Sequence, residues 1–308
     1  HATNSSKRNI MKIDPDDYRV HERKAIRLDD APTETKPLYK SKDDYSQSLR
    51  EQVETLAELQ EKLYASSQYA ILVIFQAMDA AGKDSTIKAV MSGINPQGCQ
   101  VTSFKQPTAL DLRHDFLWRA VQRLPERGMI GIFNRSYYEE VLISRVHPSL
   151  LVAQNIPDAL ARDESIWEQR YRSINELESH LARNGTRIVK FFLHVSEEEQ
   201  RKRLLERVEV PEKNWKFNLG DLDERRLWPD YMAAYEKCLN ATSTAEAPWY
   251  VIPADDKNTM RLIVSEIIIN TLKDLRLAYP AMDETRLRQL EEGRARLKED
   301  KRRPDPKP

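Results

Sequence analysis

Short apolar runs alternate with stretches of helical periodicity along most of the chain. An uninterrupted apolar run of about 4–8 residues predicts a strand that is buried on both faces, which is typical of a parallel sheet. Such runs predict strands at 70–75, 129–133 and 249–252, and we also expect strands at 101–104 and 188–195. Because helical stretches separate these runs, we predict an α/β fold in which a doubly wound parallel sheet of about five strands is flanked by helices.

The spacing of apolar residues and the capping signals predict the intervening helices. Thr108 with Asp111 and Ser196 with Glu199 match capping boxes, and Gly93 is the predicted C-terminal cap of a helix from residue 83. The predicted helices lie at 49–63, from 83, from 108, from about 136, and at 157–183, 197–208, 229–239 and 258–277.

The two ends of the chain differ in composition from the middle. Residues 1–45 are polar, contain three prolines and show no steady period, so they predict an extended N-terminal arm. Residues 281–308 are dense in both charges, which predicts a solvated helix and a disordered end. The α/β domain is predicted at 46–280, with an irregular, mobile segment at 209–227.

The charge balance and the scarcity of cysteine exclude several classes of protein. The 49 Lys plus Arg residues offset 49 Asp plus Glu residues, so nucleic-acid binding is not expected and an anionic substrate needs a local basic cluster. The longest apolar run, 69–75, is far shorter than the ~20 residues of a membrane span, and we expect no membrane segment and no secretory signal. Two cysteines and six scattered histidines match no disulfide framework or metal motif, so we expect a cytoplasmic protein.

The segment from Ala77 to Thr86, which follows the first predicted strand, resembles the phosphate-binding loop G-x-x-x-x-G-K-[ST]. Ala77 replaces the first glycine, and Asp84 replaces the Ser or Thr after the lysine. Backbone amides at the helix start are expected to hold phosphate, and Lys83 to bridge phosphoryl oxygens. The other residues expected around the phosphate are Ala80, Ala81, Gly82, Asp84, Ser85 and Thr86. The alternative is an ordinary strand–turn–helix connection with a surface lysine.

Three polar residues near this loop suggest metal binding and phosphoryl transfer. Asp79, amid phosphate-binding amides, would repel phosphate unless Mg²⁺ lies between them, and an Asx turn is the alternative. Asn134 follows the 129–133 strand at the Walker B position, where Asp usually reaches the ion directly or through water. Arg135 is expected to clamp the transferring phosphoryl group. The alternative is a helix start with Asn134 as N-cap and Arg135 on the surface.

Basic residues are frequent between 200 and 227, where glutamates are interleaved with them. Phosphotransferases exclude water from the transferring group, and mobile basic side chains that close over it achieve this. We therefore interpret about 200–227 as a lid, with the basic residues Arg201, Arg203, Arg207, Lys213 and Lys216. A solvated helix face is the alternative.

From about residue 14 to residue 277, the chain resembles the family-2 polyphosphate kinases. The segments that carry the resemblance are FQAMDAAGKD at 75–84, MSGINPQGC at 91–99, FLWR at 116–119, FNRSYYEE at 133–140 and WKF at 215–217. The resemblance implies a P-loop kinase core similar to thymidylate kinase, a helical lid, and phosphoryl transfer between inorganic polyphosphate and a nucleotide with Mg²⁺, or with Mn²⁺ in its place. Asn134 in place of Asp resembles class III, which implies that AMP and ADP are both acceptors and that ATP is the eventual product.

The resemblance also implies roles for individual residues and an assembly. It implies that Asp79 and Asn134 lie at the Mg²⁺ and nucleotide phosphates, and that Lys83 and Arg135 hold the phosphate chain. Residues implied to bind the nucleotide or the chain are Lys105, Arg119, Arg123 and Tyr137. A homotetramer built as a dimer of dimers is also implied. Two alternatives stay open: an ATP-dependent kinase of a nucleoside monophosphate or metabolite, and a regulatory binding protein without turnover.

Overall fold

The computed structural model of the chain describes residues 13–300. The start of the predicted arm, 1–12, and the end of the predicted tail, 301–308, lie outside the described residues.

A parallel sheet lies at the centre of the fold, as the apolar runs predict. Its strands are β1 (Ala70–Gln76), β2 (Cys99–Ser103), β3 (Ile130–Asn134), β4 (Thr186–His194) and β5 (Trp249–Pro253). The order across the sheet is β2-β3-β1-β4-β5, and all neighbouring strands are parallel. Since β1 lies between β3 and β4, the loop that follows β1 occupies the middle of the carboxyl edge, where open α/β sheets bind ligands.

Helices connect the strands, and short 3₁₀ turns lie at several of the junctions. The α-helices are α1 (Lys42–Ser66), α2 (Lys83–Val90), α3 (Trp118–Val121), α4 (Glu139–Val146), α5 (Ser149–Ala153), α6 (Asp158–Ala161), α7 (Ile166–Arg183), α8 (Glu197–Glu209), α9 (Gly220–Arg225), α10 (Trp228–Thr242), α11 (Lys257–Asp274) and α12 (Glu284–Asp300). The 3₁₀ turns are Pro15–Tyr18, Leu28–Asp30, Pro96–Gly98, Asp111–Arg113 and Pro211–Lys216.

The chain divides into two compact units, residues 1–277 and residues 278–308. The first unit contains the sheet, and the described part of the second contains α12. Across residues 13–300, no helix combines the length and the apolar character that crossing a bilayer requires.

The continuous helix predicted from Thr108 is wrong. Its capping box does form, since Asp111 accepts a hydrogen bond from the Thr108 amide at 2.8 Å and the Thr108 hydroxyl accepts one from the Asp111 amide at 3.2 Å. Only a 3₁₀ turn follows, however. The Asp115 carboxylate then accepts a hydrogen bond from the Leu117 amide at 2.9 Å, just before α3. A local cap of this kind competes with helix continuation.

Other helix boundaries also differ from the prediction, and α1 begins at Lys42, inside the predicted arm. The stretch 157–183 breaks into α6 and α7, because the Asp163 carboxylate accepts a hydrogen bond from the Ser165 amide at 2.8 Å between them. Helix α2 ends at Val90, so Gly93 is not its cap. Gly93 instead lies against α1, where a Cβ atom would come within 2.5 Å of the Val53 side chain.

The described part of the N-terminal arm is bound to the sheet and to α10. The Val20 amide donates to the Trp249 carbonyl oxygen at 2.9 Å, and the Ile26 amide donates to the Asn240 side chain at 2.8 Å. Val20 is almost fully buried. These contacts hold the segment before α1 against β5, the edge strand opposite β2.

Candidate active site

The loop between β1 and α2 curls tightly at the carboxyl edge of the sheet. Ala80 and Gly82 have positive φ values of 61° and 108°, and α2 begins at Lys83. Within the described chain, no side chain makes a capping hydrogen bond at the start of α2. The first amides of this helix are therefore available to an anion, which the helix dipole also favours.

The Lys83 side chain is nearly buried beneath this loop. Its ammonium donates hydrogen bonds to the carbonyl oxygens of Ala77 at 2.8 Å and Met78 at 3.3 Å. Burial, together with the nearby Arg135 guanidinium, lowers the pKa of Lys83 to about 8, against the opposing effect of three nearby carboxylates. The nearby carboxylates offset only part of the cost of burying this ammonium charge. A phosphate bound beside it would therefore stabilise the charged form of Lys83.

Arg135 joins the end of β3 to the phosphate-binding loop. Its backbone is left-handed, with φ of 62°, and its amide donates to the Phe75 carbonyl oxygen at 3.0 Å. The guanidinium lies 2.8 Å from Asp79 and 4.0 Å from Glu139. A non-glycine residue in this conformation costs about 1 kcal/mol and persists where the surrounding structure enforces it. The backbone conformation thus places the Arg135 guanidinium beside the phosphate-binding loop.

Asn134 and Asp84 meet beside Arg135. The Asn134 side-chain amide donates a hydrogen bond to the Asp84 carboxylate. Asp84 occupies the P-loop position that usually holds the Mg²⁺-binding Ser or Thr, and Asn134 occupies the Walker B position. Two of the residues that depart from the usual motifs are therefore direct hydrogen-bond partners.

A cavity of about 670 Å³ opens over these residues. Nine basic and three acidic side chains line it, although the whole chain has no net charge. The basic ones are Lys83, Lys105, Arg135, Arg203, Arg207, Lys213, Lys216, Lys257 and Arg261, and the acidic ones are Asp79, Asp84 and Glu206. This is the local basic cluster that an anionic substrate requires in a neutral protein.

Most of the predicted catalytic and phosphate-binding-loop residues line this cavity. Those that do so are Asp79, Ala80, Gly82, Lys83, Asp84, Ser85, Asn134 and Arg135. Ala81 and Thr86 are fully buried, with exposed fractions of 0%, so their side chains pack behind the loop.

Arg203, predicted as a mobile lid arginine, is instead bound firmly beneath the loop. Its guanidinium donates to the carbonyl oxygens of Ala80 and Ala81 on one side and of Ala254 and Asp255 on the other, at 2.7–3.2 Å. Its remaining N–H group donates to Glu199 at 2.8 Å. All five donors of an arginine are thereby used, so this side chain joins the loop to the end of β5.

The other predicted lid bases lie on more exposed structure, and their closing role stays a prediction. Arg207 pairs with Asp221 at 3.0 Å, and the Lys216 ammonium lies 5.0 Å from the centre of the Trp215 ring. Lys213 pairs with Glu206. The segment 209–227 is more regular than predicted, because it contains a 3₁₀ turn and α9.

Arg201 differs from these bases in its placement. It is exposed, pairs with Glu198 at 2.9 Å one turn away, and does not line the cavity. In this conformation it therefore belongs to the solvated face of α8.

Comparisons with known proteins agree with this geometry. The family model described as polyphosphate kinase 2 matches residues 39–279. The chain belongs to the polyphosphate kinase 2 family. It is 56% identical to the ADP-polyphosphate phosphotransferase of Rhodopseudomonas palustris, over 93% of this chain and 99% of that protein. It is 50% identical to the AMP/ADP-polyphosphate phosphotransferase of Meiothermus ruber, over 73% of this chain and 80% of that protein.

The fold agrees with that of a solved family member. The crystal structure of polyphosphate kinase 2 from Arthrobacter aurescens matches with a TM-score of 0.80 and 41% identity, over 90% of this chain and 95% of that one. The predicted P-loop kinase-like fold is thus confirmed, and the chain is an enzyme of the polyphosphate kinase 2 family.

A second cavity, of about 790 Å³, adjoins the first along β2. The two cavities share the lining residues Ser103, Phe104, Lys105 and Gln106. Of the residues that the family resemblance implied at the ligand, Lys105, Arg119 and Arg123 line this groove. Arg119 also donates to the Lys105 carbonyl oxygen at 2.8 Å and pairs with buried Glu140 at 3.4 Å, so it supports the backbone between the cavities.

The predicted contact between Tyr137 and a ligand is wrong. Tyr137 is 1% exposed, lines neither cavity, and donates its hydroxyl to buried Glu178 at 2.8 Å. The β3 strand and the turn after it bring Arg135 to the cavity and direct this side chain into the core.

Sequence reasoning missed two basic residues of the cavity, Lys257 and Arg261, at the start of α11. One signal could have found them. Basic residues in the first turns of a helix oppose its dipole, so their presence suggests an anion nearby. Burial, together with nearby Arg203, lowers the pKa of Lys257, as expected for a cation crowded among cations.

The oxygen ligands at the cavity suit Mg²⁺ bound together with a phosphate. Across residues 13–300, no cluster of three or more His, Cys, Asp or Glu side chains could hold a metal ion by itself. Mg²⁺ usually takes one or two carboxylates and completes its shell with water and phosphate oxygens. Asp79 and Asp84 supply carboxylates of this kind.

Proposed function

We propose that this enzyme transfers phosphoryl groups from inorganic polyphosphate to AMP and to ADP, which gives ADP and ATP, with Mg²⁺ as cofactor. The observation that carries the proposal is the strongly basic cavity over Lys83 and Arg135 in a protein of zero net charge. The names of the R. palustris and M. ruber relatives support the donor and the acceptors. The two adjoining cavities offer room for a nucleotide and for an extended polyanion.

The transfer is an in-line displacement that depends on position and charge. An oxygen of the acceptor phosphate attacks the terminal phosphorus of polyphosphate, the bond to the bridging oxygen breaks, and the shortened chain leaves. Lys83 and the first amides of α2 hold phosphoryl oxygens, and Arg135 stabilises the charge on the transferring group. Because these groups are fixed before substrate binds, little reorganisation is needed during the reaction.

Asp79 and Asp84 are the residues that would hold Mg²⁺, with Asn134 bonded to Asp84. When bound, Mg²⁺ neutralises phosphate charge and orients the phosphoryl oxygens. Mn²⁺ prefers the same oxygen ligands and is expected to substitute. Because Asn134 is neutral, this side of the site has one negative charge fewer than a site with the usual Walker B Asp. We attribute the use of both AMP and ADP, which differ in length, to this smaller negative charge.

Product analysis without added ATP tests the proposal. The full chain is incubated with Mg²⁺, long-chain polyphosphate and AMP, and the nucleotides are separated over time. ADP that forms first, followed by ATP, is the expected result. No product from AMP, with ATP formed from ADP, would restrict the enzyme to diphosphates. No product from either would overturn the proposed donor, and transfer from added ATP to an acceptor would then indicate an ordinary P-loop kinase.

We also propose that the enzyme acts in the cytoplasm as a homotetramer, a dimer of dimers. Both cysteines are free thiols, which suits a reducing compartment. Light scattering of the purified enzyme tests the tetramer, which has about four times the 35.9 kDa mass of the chain.

A further inference from the structure

The turn that carries Arg135 is anchored in the protein core by the two residues after Ser136. Tyr137 and Tyr138 are buried, and each hydroxyl donates a 2.8 Å hydrogen bond to the same oxygen, Oε1 of Glu178. Glu178 lies on α7, and the tyrosines lie just before α4. Two consecutive side chains thus bind one carboxylate.

Lys190 completes this network from β4, the strand that follows α7 along the chain. Its ammonium donates to Oε2 of Glu178 at 2.6 Å, to the Tyr138 hydroxyl at 2.9 Å and to the Thr242 carbonyl oxygen at 2.7 Å. The side chains of Lys190 and Glu178 are 0% and 1% exposed. All three ammonium donors are used, and both carboxylate oxygens accept, so the buried charges are fully compensated.

A buried ion pair of this kind contributes little to stability compared with apolar packing of the same volume. What a fully bonded polar network does supply is one defined geometry. Here that geometry applies to the turn of Arg135, whose left-handed backbone at φ 62° requires support from its surroundings. Among the described residues, the Arg135 guanidinium comes within ion-pair distance of Asp79 and Glu139 alone, and its side chain is 39% exposed.

We propose that Glu178, held by Lys190, is a positioning residue for Arg135 and acts through the hydroxyls of Tyr137 and Tyr138. The network holds the turn so that the guanidinium stands at the phosphate-binding loop before substrate arrives. This inference rests on the proposed function, since it assumes that Arg135 stabilises the transferring phosphoryl group.

The test removes the two hydroxyls and keeps the rings. Tyr137→Phe/Tyr138→Phe leaves Glu178 paired with Lys190 and should fold. We expect kcat with ADP and polyphosphate to fall about 10- to 100-fold, as for a misplaced catalytic group. We expect KM for both substrates to change less than about twofold, since binding in the ground state is kept. Thermal melting confirms that each variant is folded at the assay temperature.

Tyr171→Phe is the matched control. Tyr171 lies on α7 and is buried, but its hydroxyl contacts Arg145 at 3.3 Å and is not attached to the Arg135 turn. It should keep kcat within about twofold of the wild type. An equal loss in this control would show that any buried tyrosine hydroxyl has the same effect, and would overturn the inference.

A double-mutant cycle separates positioning from general damage. In an Arg135→Lys background, removing both hydroxyls should cost less than about twofold in kcat, because the group they position is already altered. Equal fold losses in both backgrounds would overturn the inference and leave the proposed function intact. Full activity of Arg135→Lys and of Arg135→Ala would overturn the role of Arg135 itself, and the inference with it.

Discussion

The Arg135 guanidinium lies 2.8 Å from Oδ1 of Asp79, across a sequence separation of 56 residues. The two side chains are 39% and 32% exposed, so the pair borders the cavity. Solvent weakens such a pair, and each ion is free to exchange its partner. When substrate binds, we expect the Arg135 guanidinium to bind a phosphoryl group and the Asp79 carboxylate to bind a divalent cation.

Asp79→Asn should therefore weaken the use of Mg²⁺. The amide keeps the size of the side chain but loses the charge that attracts the cation, so the Mg²⁺ concentration for half-maximal activity should rise at least about tenfold. Glu139→Gln is the control, because Glu139 also neighbours Arg135 but does not line the cavity. An unchanged Mg²⁺ titration for Asp79→Asn would contradict the assignment.

The lowered pKa of Lys83, about 8, predicts a pH limit on activity. Below this pH the ammonium is protonated and binds phosphate, and above it the free enzyme loses the proton. kcat/KM for polyphosphate should thus fall above pH 8, by up to about tenfold per pH unit. Lys83→Arg should move this limit upward, since a guanidinium stays charged. The same limit near pH 8 in Lys83→Arg would assign it to another group.

Asn134→Asp should shift the enzyme away from AMP. The new carboxylate would face Asp84, and two carboxylates this close require a cation or a proton between them. A metal ion bound more tightly at this point would favour a single position of the acceptor phosphate, that of ADP. The ratio of kcat/KM for AMP to kcat/KM for ADP should therefore fall about tenfold, which corresponds to about 1.4 kcal/mol in activation free energy.

The exchanged pair, Asn134→Asp/Asp84→Asn, is the control for this prediction. It restores one amide and one carboxylate in hydrogen-bond contact, with the original total charge. Recovery of AMP use would show that the charge count decides the acceptor. An unchanged AMP to ADP ratio in Asn134→Asp would refute the account.

Arg203→Met should destabilise the protein through the phosphate-binding loop. The substitution leaves four carbonyl oxygens and Glu199 without their shared donor, and the Arg203 side chain is only 5% exposed. The free energy of unfolding in urea should fall by about 2–3 kcal/mol. Arg201→Met removes the same charge two residues away on the exposed face, and its unfolding curve should match the wild type. Equal curves for both variants would contradict the clamp role.

β1, β3 and β5 were predictable because burial on both faces leaves a continuous apolar run. β2 differs from them, because its sequence CQVTS has no such run and most of its residues are exposed or partly exposed. The loop after β1 was predictable because a glycine and a lysine at this spacing, between a strand and a helix, match the phosphate-binding loop. Helix continuity from Thr108 was not predictable, because Asp115 competes for the backbone over a distance of two residues. Propensity and periodicity do not reveal which of two local caps prevails.

The sequence by itself determined the α/β class, the order of the strands along the chain and the basic and acidic residues available for phosphate chemistry. Only the tertiary structure decided which of those residues share the cavity. It buried Arg203 and Tyr137 as supports, and it brought Lys257 and Arg261 into the site from the opposite end of the chain. The physical reason is that side-chain direction and partner choice depend on long-range packing, which residue spacing within one element does not record.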